Sequence, residues 1–306
     1  MRLNPLSPRV LVLSWAVALL TWPLAWLLLA AAQGIGTVVV GGGWIGFAIP
    51  MGLHPWGVVN EPSIAFANTR AALFFYWLAP PLAALAVTAL LPTLVPVPPS
   101  WFSEVCVFQL ATACAVLGLG WAPPLGVDDG PAAGLARFWG VSPTVSVSVS
   151  AVLGAVVVQF AVARLASHLW AEPGGPRRAS RLLVAVAHGF VPAAVWGVAV
   201  VGQGWAISPL SVVTTVAVLL GAALGAWVWV PSAPLRPRPH LRWRTPVAAG
   251  VLGVVVFAAS VWAGAPRRGH GVAFVWGLPG ETNNVRPGLS VVRLMPLPAP
   301  RKPPAR

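Results

Sequence analysis

Six long tracts of this sequence carry no charged side chain at all: 10–60, 71–103, 105–127, 138–163, 182–235 and 245–266. An apolar, uncharged run of about 18 residues or more is the signature of a helix whose solvent is lipid. The fold class that follows is all-α, a polytopic helical membrane protein. Hydrophobic residues make up 58% of the chain and charged residues 8%, against roughly 25% charged in an average soluble domain. The two-domain prior for a soluble chain of this length therefore does not apply, and the helices count as one bundle.

Each tract divides by length. At about 1.5 Å per residue, 182–235 would make a helix near 80 Å, far longer than the roughly 30 Å hydrocarbon core. It must fold back, and Gln203-Gly204-Trp205 through Pro209 supplies the turn. The predicted spans fall near 10–32, 71–95, 101–122, 141–163, 182–203, 209–231 and 245–264, seven in all. The first begins after Arg2 and Arg9 and is longer than a signal-peptide core, so a retained span is expected. Residues 35–50 are short for a span, and Gly41, Gly42 and Gly43 each weaken a helix by about 1 kcal/mol. They read as a re-entrant or interfacial segment, with an eighth span as the alternative.

The net charge of +13 comes from a shortage of acids, only six in the chain, rather than from a nucleic-acid-binding surface. The arginines sit mostly in connections and tails, where orientation signals belong. Arg164, Arg177, Arg178 and Arg181 lie in one connection, and Arg236, Arg238, Arg242 and Arg244 in another two spans later. Both are assigned to the cytoplasm, which places the N-terminus there too. Seven spans then leave the Pro- and Arg-rich tail, 265–306, on the opposite side, against its own basic charge.

Few residues carry chemistry. His188 lies inside the fifth predicted span, followed by Gly189 and Pro192. An intramembrane ionisable group is a functional candidate by default, for proton relay, ligation or substrate bonding, against a histidine that merely bonds a neighbouring carbonyl or hydroxyl. Glu104 opens the third span, where the helix dipole favours a carboxylate. Gln109 and Gln159 are expected to bond across helices. The 51–70 loop groups His54, Glu61 and Arg70 beside the Gly-rich segment. It is either a site on the outer face or a Trp-anchored interfacial loop. Cys106 and Cys114 are too far apart on one helix for a disulfide and are expected free. Small residues at four-residue spacing, Ser146-Ser150-Gly154, Gly189-Ala193-Gly197 and Gly221-Gly225, mark helix-packing ridges.

No Gly-x-x-x-x-Gly-Lys-[Ser/Thr], His-Glu-x-x-His or Cys-x-x-Cys motif is present. No catalytic residue, metal site or cofactor is expected. The expected partners are the lipid bilayer and other membrane-protein subunits, not nucleic acid. The leading functional expectation is a non-catalytic integral membrane subunit or scaffold. A transporter component is the alternative, and a membrane enzyme working on a lipid-linked substrate through Glu61 or Glu104 is the third.

Overall fold

The computed structural model describes residues 4–39, 43–49, 56–60, 69–94, 100–120, parts of 140–165, 178–202, 209–228, 240–263, 272–275 and 290–293. Helix α1 (Pro8–Val39) is its axis. Ser7 accepts the first helical bonds, from Val10 and Leu11 at 3.0 Å each, so Pro8 occupies the first helical position. There its missing N–H costs nothing. Just upstream, the Asn4 side chain accepts from Leu6 N–H at 2.9 Å and closes a tight turn. Thr21 and Thr37 bond back to carbonyls of their own helix, which hides two hydroxyls inside an otherwise apolar rod.

Around α1 stand α2 (Thr69–Leu94), α3 (Trp101–Ala115, running on as a π-helical turn Val116–Gly120) and α7 (Arg244–Ala263). Helix α4 (Arg178–Ala185) passes through a second π-helical turn, Val186–Phe190, into α5 (Val191–Gly202), and α6 is Pro209–Val228. The N-terminus of α3 is closed by a reciprocal box: Ser100 Oγ accepts from Ser103 N–H, and Ser103 Oγ accepts from Ser100 N–H. Three described helical segments are long and apolar enough to cross a membrane: Pro8–Val39, Trp101–Gly118 and Arg178–Trp196. Leu78–Leu91, Val216–Val228 and Arg244–Ala259 are shorter apolar helical segments.

Pairwise contacts fix the directions of the helices. Ser14 meets His188 and, further along both segments, Trp22 stacks on Trp196 with ring centroids 6.2 Å apart, so α1 and α4–α5 run parallel. Arg9 lies over Trp243 while Ala16 lies against Gly253, so α7 is parallel to α1 as well. Ser14 pairs with Gln109 and Leu29 approaches Gly118, which gives α3 the same sense. The starts of α1, α3, α4 and α7 therefore gather at one end of the bundle. Two of these crossings depend on glycine. A Cβ on Gly253 would come within 2.6 Å of the Ala16 carbonyl oxygen, and one on Gly118 within 2.6 Å of the Ala84 Cβ. Backbones approach this closely only where no side chain intervenes.

The described residues are mainly helical, in keeping with the all-α expectation, and a small sheet that the sequence did not reveal accompanies the helices. Strands β1 (Gly43–Ile49), β2 (Trp56–Asn60), β3 (Val272–Val275) and β4 (Ser290–Arg293) form one sheet in the order β2-β1-β3-β4. The pairs β2–β1 and β1–β3 are antiparallel, and β3–β4 is parallel. The segment expected to be re-entrant or interfacial thus splits in two. Its first residues prolong α1 to Val39, and Gly43–Ile49 becomes a strand. The physical reason is a partner invisible to local reading. The tail supplies Val272–Val275, whose backbone satisfies groups that a glycine-weakened helix would satisfy poorly. A register irregularity between Trp44 and Gly46 re-aims the strand. Trp44 then folds back against Gly34 of α1, in space only a glycine leaves open, and donates its indole N–H to the Gly46 carbonyl at 2.8 Å.

Candidate functional site

The buried polar centre of the described structure forms where α1, α3 and the π-helical turn after α4 meet. His188 is fully buried in that turn. Its Nε2 lies 2.9 Å from the Pro5 carbonyl oxygen, and its Nδ1 lies 2.7 Å from Ser14 Oγ. A carbonyl only accepts, so Nε2 carries the proton and donates. In the neutral ring Nδ1 is then the acceptor, and the Ser14 hydroxyl donates to it. Gln109 completes the network. Its Nε2 donates to Ser14 Oγ and to the backbone carbonyl of His188, both at 2.7 Å. The latter, again an acceptor only, fixes which way the amide points. The result is an oriented chain from Gln109 through Ser14 to His188 and on to Pro5.

The amide orientation has a cost. Gln109 Oε1 is buried with no hydrogen-bond partner, and Thr112 Oγ1, one helical turn further along α3, is in the same condition. An unsatisfied buried acceptor or hydroxyl costs about 1–3 kcal/mol in a protein interior. Phe108 packs its ring edge-on to His188 with centroids 5.8 Å apart, and Phe108 and Thr112 of α3 are the side chains nearest Gly189 of the π turn. Trp15 pins the same turn from the other side, donating its indole N–H to the Ala187 carbonyl at 2.9 Å. π-helical turns widen the backbone and recur at functional positions.

The sequence candidates are distributed unevenly about this centre. His188 lies within it. Gln109 bonds across helices, as its residue type and position suggested. Glu104 lies in the first turn of α3, fully buried, one turn before Phe108 and thus toward the end where the helices start. Arg70 is the second residue of α2. His54, Glu61 and Gln159 lie outside the described residues, as do Ser146, Ser150 and Gly154. Cys106 and Cys114 are both free.

Ser14 was missed by sequence reasoning, although a lone serine inside the apolar start of α1 was a usable signal. The Pro5 carbonyl had no signal, because a backbone oxygen is the same at every position. Among the described residues, no three of His, Cys, Asp and Glu come together as a metal-ligand set. No protein family, curated protein or solved structure matches this chain.

Proposed function

We propose that this chain is a non-catalytic, multi-pass integral membrane subunit or scaffold of a larger membrane assembly. The observation that carries the reading is the use of His188. Both ring nitrogens are committed to partners in the first helix and the turn before it, so the one buried histidine described ties helices together instead of facing a reactant. Membrane embedding is supported by what the helices turn outward. Val247, Val251, Leu252, Val254 and Val255 of α7, and Val213, Val216, Leu220 and Leu224 of α6, are exposed. A soluble helix shows polar residues on that face.

In this reading the chain crosses the bilayer seven times with its N-terminus in the cytoplasm. The parallel run of α1, α3, α4–α5 and α7 supports it, since odd-numbered spans share a direction. The strand pairing of the tail with the segment after α1 supports placing both on the opposite face. Purification of the full chain from its own membranes in mild detergent is the test. Defined partner proteins in constant ratio are expected, and isolation as a lone monomer overturns the subunit reading.

A transporter component is the second reading, favoured by the unpartnered Gln109 Oε1 and Thr112 Oγ1 beside a π-helical turn. Broken helices and midplane polar groups are how transporter sites are built. Thr112→Cys, on a background with Cys106 and Cys114 replaced by Ala, separates the two. Modification by a membrane-impermeant thiol reagent supports a polar path, and complete resistance rejects it.

A further inference from the structure

We infer that the end of the bundle where α1 and α7 start holds a seat for the headgroup of an anionic phospholipid. The observation is an arginine held in place that, among the described residues, meets no carboxylate. Arg9 lies half-buried in the first turn of α1. Its guanidinium carbon lies 5.4 Å from the centre of the Trp243 ring, and its Nη1 donates to the Leu241 carbonyl at 3.3 Å. One face of the guanidinium is therefore occupied and one edge used, while the remaining N–H groups are available for a planar, bidentate acceptor.

Arg242 and Arg244 flank the same tryptophan and are exposed, as is Trp243 itself. Among the described residues, none of these arginines meets a carboxylate. Glu104, the one described acid side chain, is fully buried in the first turn of α3. Charge at this end is further raised by the helices themselves. α1, α3, α4 and α7 all begin here, and each helix start carries roughly half a positive charge.

Charge alone describes a solvated basic face that orients the chain. Two features make this a lipid seat rather than a general one. Trp243 is an amphipathic ring of the kind that lies at headgroup level, and here it holds an arginine in position. Directly along α7 from it runs the exposed apolar face of Val247, Val251, Leu252 and Val255, which suits acyl chains. Phosphate above and hydrocarbon below, on one continuous surface, matches the two halves of a phospholipid. Basic clusters at the ends of membrane helices bind anionic headgroups by this chemistry.

The seat rests on the membrane embedding proposed above but not on the subunit role. Recovery of the chain as a monomer would remove the latter and leave the former standing. Release of the chain from membranes by alkaline carbonate would remove the embedding and the lipid seat with it. The direct test is native mass spectrometry of the full chain released from bilayer discs of equal phosphatidylcholine and phosphatidylglycerol. Retention of phosphatidylglycerol in clear excess is expected.

Arg9→Gln with Arg242→Gln should weaken that retention by about thirty-fold. Arg178→Gln, the removal of an exposed arginine from another helix, should change it little. Arg9→Lys, which keeps the charge and loses the flat stacked fork, should fall between wild type and the double variant, and guards against misreading a folding defect. Equal retention of the two lipids overturns the proposal. So does an equal loss in Arg178→Gln, which would mean diffuse charge, or displacement of the lipid by millimolar inorganic phosphate, which would mean an anion site with no need of a lipid.

Discussion

Ser14 and His188 share one hydrogen bond, so their separate removal counts the same interaction twice. His188→Gln can keep a donor toward the Pro5 carbonyl but loses the Nδ1 acceptor, and Ser14→Ala loses the hydroxyl that pairs with it. Each change is expected to lower stability by about 1 kcal/mol, and the double variant by little more than either alone. His188→Leu removes both ring nitrogens from a fully buried site and should cost about 2 kcal/mol or more. Thermal unfolding in detergent, read by circular dichroism, checks all four; strict additivity of the first pair would show that the bond contributes nothing. A glycine pair offers a sharper contrast. Gly253→Ala drives a methyl to 2.6 Å from the Ala16 carbonyl oxygen, whereas at Gly250 the nearest atom is the Ala16 Cβ at 4.0 Å. The first should destabilise by about 1–3 kcal/mol through overpacking, and the second should be neutral or stabilising.

Strand pairing between the segment after α1 and the tail is the least local feature of the molecule. Phe47 of β1 stands opposite Phe274 of β3. Directly opposed residues of antiparallel strands have Cα atoms within disulfide reach, about 4.5–5.5 Å. Phe47→Cys with Phe274→Cys, on a background lacking Cys106 and Cys114, should therefore cross-link under mild oxidation. Phe47→Cys with Val272→Cys, offset by two positions, should not. Efficient linking of the offset pair would show a different register. The helices were largely legible, because uncharged apolar tracts bounded by Pro, Gly and Arg mark them locally. The strands were not. Gly43–Ile49 is too glycine-rich to declare itself a strand, and Val272–Val275 is four residues long. Each needs partner strands that local sequence does not show, and the pair they form with one another joins segments more than two hundred residues apart.

At the scale of the whole molecule, the parallel α1 and α7 send the segments that follow them to the same end, where β1 meets β3. The proposed orientation puts that end outside and the arginine-bearing starts of the helices inside. Single cysteines test it on the Cys106- and Cys114-free background. With sealed cells, Ser290→Cys should react with a membrane-impermeant maleimide, and Thr245→Cys should react only after the membrane is permeabilised. The reverse pattern would invert the topology. What the amino-acid sequence determined alone is the charge-free, apolar character of the helices, which makes three of the described helical segments long and apolar enough to cross a membrane. It also marked His188 and Gln109 as polar groups needing partners. Which partners they took, Ser14 and the Pro5 carbonyl among them, was decided only in three dimensions. So were the close approach at Gly253 and the sheet that draws in the tail. Hydropathy is a property of each residue and survives any arrangement of the chain. A hydrogen bond or a strand pair exists only between groups that folding brings together.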